Sequence, residues 1–256
     1  MNNKNELKKI EIYYDKRAEA SNQVEAAGQW GKEEFVIPIC KEISNKIKIK
    51  KSDRVLELGC GSGVLGNWIK EKCSMYIGLD ISFEMLKKFQ DFSEHGKKFE
   101  LFQALTDVVP FLDNIFDIIL INSVTMYFRE EGLLRRTLAE IQRVATKNAT
   151  IFIGDNVIPS KTYWEYSWFQ NLNPFQQIFA KLYIKIRIWH AKKFPKNAGK
   201  WQNYHREVDP DFIKRYFVEG GKVIISDAAA MTIKKGRLGN HWKGNRRMDF
   251  VINLRT

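Results

Sequence analysis

Val55-Leu56-Glu57-Leu58-Gly59-Cys60-Gly61-Ser62-Gly63-Val64-Leu65-Gly66 reads as a short apolar strand, a glycine turn and a helix continuing through Trp68 and Ile69. Glycines 59, 61 and 63 remove Cβ atoms where the backbone turns sharply, so a flat or charged ligand can approach the main chain. Two ligand-binding spacings coexist. Gly61, Gly63 and Gly66 satisfy the Gly-x-Gly-x-x-Gly of a dinucleotide loop. Counted from Gly59, the pattern is Gly-x-Gly-x-Gly, with Glu57 two residues upstream inside the strand. A purely structural glycine turn is the third reading, and the segments downstream decide among them.

Met75–Asp80 forms a second strand ending in an acid, 17 residues beyond Gly63. A vicinal diol offers two donors to one carboxylate, so Asp80 suits the ribose of any adenosine ligand. Ser82 is placed to cap a helix that carries Met85, Leu86 and Phe89 inward. Phe99–Ala104 is strand three. Phe116–Ser123 is strand four, a buried apolar run of the kind parallel sheets need. A helix with Leu133, Leu134, Leu138, Ile141 and Val144 follows, then strand five at Thr150–Asp155. Upstream, Phe35, Ile39, Ile43 and Ile47 stand at four-residue steps on an amphipathic helix with Pro38 near its start.

In order and spacing, residues 53–158 resemble the class I S-adenosylmethionine-dependent methyltransferases. Glu57 with Gly59, Gly61 and Gly63 matches their first motif, Asp80 the acid of strand two, Phe116-Asp117 the start of strand four. Glu140-Ile-x-Arg143-Val matches a helix of the family, although Lys147-Asn-Ala replaces the usual Pro-Gly-Gly turn. An acid followed by Ala often ends strand three and meets the adenine amino group; here Gln103 takes the acid's place, and the backbone of Ala104 and Leu105 could serve equally well. Tyr13-Tyr14-Asp15 looks like the family's segment over the cofactor, or is an aromatic dock for the N-terminus. The resemblance implies S-adenosylmethionine as cofactor. It places the contacts on Tyr14, Glu57, Gly59, Cys60, Gly61, Gly63, Asp80, Ile81, Met85, Gln103, Ala104, Leu105, Asn122 and Ser123. The fold it implies is α/β: a seven-stranded, mostly parallel Rossmann-like sheet with helices on both faces and an antiparallel last strand. The nicotinamide alternative would need a catalytic arrangement such as Tyr-x-x-x-Lys after strand four, and none follows.

Four segments result. Residues 1–52 form an N-terminal helical segment over the cofactor site, 53–158 the cofactor-binding core, 159–205 a lid or substrate insertion between strands five and six, and 206–256 the rest of the same α/β domain. Asp209-Pro-Asp211 starts the last helix, Gly220-Gly221 ends it, and strands six and seven are Val223–Ser226 and Met248–Leu254. A basic loop, Lys234–Arg247, joins them.

Residues 159–205 hold 12 of the chain's 33 aromatic residues and eight Lys or Arg. Within them, 176–193 admits a helix (Ile178, Leu182, Ile186, Trp189) or a strand (Ile184, Ile186, Ile188), and length favours helix. Asn173-Pro-Phe175 has a faint likeness to a motif of adenine methyltransferases, but that motif belongs directly after strand four, so the likeness is coincidental. The segment could be a lid, a dimerisation element, a membrane-surface contact or a nucleic-acid contact.

The net charge of +12 is uneven: residues 1–155 hold 23 basic and 23 acidic side chains, whereas 156–256 hold 19 and 7. The second half therefore faces something anionic or presents a solvated basic surface. Cys40, Cys60 and Cys73, scattered and odd in number, suggest reduced thiols, and no His/Cys spacing suggests a metal. No apolar run nears the roughly 18 residues of a bilayer span. The first residues lack a signal-peptide core, so a cytoplasmic protein is expected.

Methyl transfer from a sulfonium is an in-line displacement in which the protein positions the acceptor and, where needed, takes its proton. Asp155, Tyr127, His190 and His205 are the candidate bases. The expected activity is methylation of an O or N atom of a small molecule, whether an anionic, sugar or lipid-linked acceptor. RNA or protein methylation is the rival reading, and a non-catalytic cofactor-binding partner protein is the third.

Overall fold

A computed structural model describes residues 3–27, 33–93, 99–128, 130–159, 172–179, 181–182, 186, 206–217, 219–229 and 247–254. Seven strands form one sheet in the order β3-β2-β1-β4-β5-β7-β6. They are β1 (Arg54–Leu58), β2 (Met75–Asp80), β3 (Phe99–Gln103), β4 (Phe116–Asn122), β5 (Ala145–Val157), β6 (Gly221–Asp227) and β7 (Arg247–Leu254). The first five run parallel, and β7 is antiparallel to both β5 and β6. The described helices are α1 (Asn3–Arg17), α2 (Gln23–Ala27), α3 (Val36–Ile47), α4 (Val64–Ile69), α5 (Phe83–Asp91), α6 (Glu131–Val144), α7 (residues 174–179) and α8 (Pro210–Tyr216).

The two-residue period of the strands sorts the core into two layers. Leu56, Leu58, Ile119, Ile121, Ile151 and Ile153 join the side chains of α6 and α8 on one face. Val55, Tyr76, Ile118, Leu120 and Phe152 join those of α3, α4 and α5 on the other. Burial on both faces explains why β1, β2 and β4 are continuous apolar runs. Ser82 caps α5 as its position predicts, accepting from the Met85 N–H at 3.1 Å.

Strand five is longer than the sequence suggests. Ala145 pairs with Phe116 and Thr150 with Ile118, so 146–149 form a bulge with Lys147 and Asn148 exposed and Ala149 in the core. What reads as a turn replacing Pro-Gly-Gly is thus a bulge inside β5. At its other end β5 continues past Asp155, whose φ of 58° bends the strand before Asn156 and Val157 resume pairing with β7. The favoured helix in the insertion agrees with the described residues: 174–179, 181–182 and 186 are all helical. Its start is a reciprocal capping box. Asn173 Oδ1 accepts from the Gln176 N–H at 2.9 Å, Gln176 Oε1 from the Asn173 N–H at 3.2 Å, and Pro174 follows the cap.

One buried ion pair ties the N-terminal helices to the far side of the sheet. Lys46 Nζ of α3 meets Asp249 Oδ2 of β7 at 2.7 Å, and Asp249 also accepts from the Asp155 and Ala229 N–H groups at 2.8 and 2.9 Å. Asp249→Ala leaves the Lys46 ammonium only the Asp227 carbonyl, at 2.6 Å, and strands two backbone donors, so urea unfolding should show a loss of about 3–5 kcal/mol. A loss within about 0.5 kcal/mol, the range of ordinary surface changes, would show that these groups find water instead.

Candidate functional site

The carboxyl ends of β1, β2, β3 and β4 open into a cleft of about 1010 Å³, part of it continuous with solvent. Its floor is the glycine turn. Gly59, Gly61 and Gly63 all have left-handed backbones, with φ of 73°, 54° and 83°, but for different reasons. A Cβ on Gly59 would stand 2.3 Å from Val124 Cγ2, and one on Gly63 2.1 Å from the Phe89 ring. Both positions are closely packed; Gly59 also lines the cleft, whereas Gly63 stands behind it as the N-cap of α4. A Cβ on Gly61 would meet nothing within 4 Å, and Gly61 lines the cleft. The turn is anchored to β2 by the Gly59 and Cys60 N–H groups, which donate to Leu79 O at 2.7 and 2.9 Å.

Two buried carboxylates face this floor. Asp80 accepts from the Gly61 N–H through Oδ2 and from the Ser82 N–H through Oδ1, both at 2.8 Å. Burial raises its pKa to about 6 against the lowering effect of those donors. Glu57 accepts from the Tyr76 hydroxyl at 2.5 Å. Its pKa rises to about 8, chiefly through burial, so at neutral pH the carboxyl is mostly protonated.

Ala104 and Leu105 line the cleft beyond Asp80, with Ile81 and Met85 beside them. Gln103 does not. Its amide donates to Ile81 O at 2.9 Å and borders an adjoining hollow under α1. The acid that strand three lacks appears four residues later. Asp107 lines the cleft with a side chain only 10 % exposed. Its Oδ2 accepts from Arg136 Nε at 2.8 Å, while its buried Oδ1 has no partner. Arg143 fixes the loop carrying it, donating to Val109 O at 2.9 Å and Phe111 O at 2.7 Å. Two signals in the sequence could have exposed the missed residues: the acid just past an unexpected Gln, and the helical spacing of Leu7, Ile10 and Tyr14, which α1 lays over the cleft.

At the end of β4, Asn122, Ser123 and Tyr127 form the opposite wall, and the Tyr127 ring meets Tyr14 edge-on at 5.8 Å. Burial first, and then Tyr127, push the Tyr14 hydroxyl well above its ordinary pKa. Tyr14 therefore stays protonated and acts as a hydrogen-bonding group. Asp155 is absent from the cleft wall. Its Oδ2 accepts from Ser123 Oγ at 2.7 Å and Arg247 Nη1 at 2.8 Å, so it braces the wall from behind. Of the candidate bases, Asp155 is thus placed behind the cleft wall and Tyr127 on it. His190 and His205 lie outside the described residues.

Comparison with known proteins agrees with this architecture. Residues 56–153 match the family described as methyltransferase domain. An uncharacterized methyltransferase of Schizosaccharomyces pombe is 42% identical over 53 residues, 21% of this chain and 20% of that protein. A malonyl-[acyl-carrier protein] O-methyltransferase of Hamiltonella defensa is 32% identical over 159 residues, 56% of this chain and 57% of its own length. The chain thus spans less than two thirds of these curated relatives. Among solved structures, phosphoethanolamine N-methyltransferase 1 of Haemonchus contortus, complexed with phosphoethanolamine and S-adenosylhomocysteine, superposes with a TM-score of 0.70. That match covers 100% of this chain and 50% of the other at 10% identity, a likeness of fold. Residues 56–153 thus match a methyltransferase domain, and the fold is that of the class I S-adenosylmethionine-dependent methyltransferases.

Gly61→Ala separates a binding floor from a structural turn. The left-handed backbone should cost the variant about 1–2 kcal/mol of stability without unfolding it. Calorimetry should then show S-adenosylhomocysteine binding weakened at least about tenfold, because the new methyl stands where the ligand must lie. Unchanged affinity in the folded variant would place the cofactor elsewhere.

Proposed function

We propose that the protein is an S-adenosylmethionine-dependent methyltransferase acting on an O or N atom of a small molecule. The observation that carries this reading is the cleft itself, in which an open glycine floor meets two buried carboxylates and the orphaned Oδ1 of Asp107. These groups fit the cofactor's chemistry. Asp80 keeps lone pairs for a ribose diol, since each of its oxygens accepts one backbone donor. Asp107 lies beyond Asp80 in the order of the sheet, where it would take the adenine amino group in place of Gln103. Glu57, ionised by a cationic neighbour, would hold the ammonium end. The bound cofactor supplies an activated methyl group; the apolar walls and the Tyr14–Tyr127 pair keep water from it.

The choice of acceptor follows from what the cleft offers as a base. Among the described residues, Asp155 is engaged behind the wall and Tyr14 is held protonated, which leaves Tyr127, packed edge-on against Tyr14, as the candidate base on the cleft wall. Asp80, Glu57 and Asp107 are assigned to the cofactor. An acceptor that is already nucleophilic at neutral pH, a carboxylate oxygen or an uncharged amine nitrogen, needs no protein base. The malonyl-carrier relative, named for O-methylation, is in keeping with the carboxylate member of that class. The basic second half suits an anionic acceptor. It also supports the RNA reading, which predicts binding that falls steeply with salt.

Two measurements test this function. S-adenosylhomocysteine release should be seen with a carboxylate or amine acceptor from a chemical panel; turnover confined to alcohols, or to RNA, would overturn the assignment. Asp107→Ala should weaken S-adenosylhomocysteine by about 1–3 kcal/mol, the scale of a hydrogen bond to a charged group. The same substitution should leave the affinity of a hypoxanthine analogue, which lacks the amino group, nearly unchanged. Equal losses for both ligands would remove Asp107 from base recognition.

A further inference from the structure

The helix beginning at the Asn173 capping box leaves its apolar side uncovered. Phe175, Ile178, Phe179, Leu182 and Ile186 are 74, 64, 64, 55 and 55 % exposed. Their offsets of 3, 4, 7 and 11 residues from Phe175 put them on one stripe of an α-helix about 100° wide. Phe175 and Phe179 meet at 6.3 Å between ring centroids, so the stripe starts as a continuous aromatic surface. Exposed apolar residues scattered singly need no explanation; five on one helical stripe do.

We propose that this stripe docks the protein on an anionic membrane surface. Charge separates the possible occupants. The surrounding sequence, 159–205, holds eight Lys or Arg against one acid, Glu165, a net charge of +7. A second copy would bring the same charge against it. An RNA would satisfy the cations but gain nothing from Ile178, Leu182 and Ile186, since nucleic acids reward cations and stacking aromatics. An anionic bilayer satisfies both, taking the apolar stripe below the headgroups while the cations remain among the phosphates. Trp164, Trp168, Trp189 and Trp201 lie in the same stretch of sequence, and tryptophan favours the membrane interface. The helix lies on the bilayer and does not span it. No helix among the described residues is long and apolar enough to cross a bilayer.

None of the five stripe residues lines the cofactor cleft, so docking and chemistry are separable. Vesicle flotation of the full chain tests the proposal with phosphatidylcholine alone and with about a third phosphatidylserine. The protein should float with the anionic vesicles and not the neutral ones, and salt should reduce the bound fraction. The double substitution Ile178→Ser, Leu182→Ser removes only exposed side chains. It should lower partitioning at least about tenfold, given the apolar surface lost, while S-adenosylhomocysteine binding stays intact. Absence of flotation by the wild type would overturn the proposal, as would flotation unaffected by the double substitution. A wild-type dimer in light scattering that the double substitution dissociates, without vesicle binding, would assign the stripe to a second copy instead.

Discussion

The Asp80 carboxylate is the constraint on which the site depends. One oxygen receives the Gly61 N–H and the other the Ser82 N–H, so a single buried group sets the end of β2, the glycine turn and the start of α5. The Ser82 hydroxyl then donates to Asp15 at 2.6 Å, fixing α1 over the cleft. Gln23 closes the second side of this roof, donating to Ser62 O and accepting from Asn67. A residue expected only to meet a ligand is therefore also the joint between the ligand's floor and its cover. The arrangement carries an electrostatic penalty. With Glu57 near pKa 8 and Asp80 near 6, the folded protein keeps protons that the unfolded chain has already released. The unliganded fold accordingly loses stability as pH rises from the ordinary carboxylate range towards 8. A ligand bringing a cation and hydrogen-bond donors relieves that penalty.

Behind the opposite wall, a second chain of contacts performs the same service for the end of β4. Ser123 adopts a left-handed backbone with φ of 62°, and Asp155, with φ of 58°, holds it from β5. Arg247 and Asp249 of β7 hold Asp155 in turn, and Asn156 receives the Thr125 hydroxyl at 2.5 Å. The antiparallel last strand is thereby part of the site's support. It places one cation and one carboxylate where they set the backbone of that wall.

How much of this was legible in the sequence depended on how local each signal is. The strands and α5 were legible because apolar runs, an N-cap serine and glycines at a sharp turn act within a few residues. The place of Asp155 behind the wall was not legible because its partners lie 32 and 92 residues away, and proximity to a strand end says nothing about which way a bulged residue faces. Asp107 escaped because its loop takes its course from Arg143, about 30 residues downstream, so the spacing after strand three could not reveal that the acid turns inward. Asn173 is the opposite case: its capping partner is three residues on, so the signal is local and lay in the sequence unread. Gln103 shows the limit of resemblance, since a matching position does not guarantee a matching direction.

The central claim, that the glycine-floored cleft with its raised-pKa carboxylates holds S-adenosylmethionine, is tested most directly by calorimetry of its product. S-adenosylhomocysteine titrated at pH 7, in buffers of different ionisation enthalpy, should occupy one site. Its ammonium should drive Glu57 from the protonated to the ionised form, so that up to about one proton is released per ligand. That release should fade as the pH passes well above 8 and disappear in Glu57→Gln. Saturable binding of a nicotinamide cofactor with none of S-adenosylhomocysteine would contradict the account, and binding with proton uptake would contradict the role of Glu57.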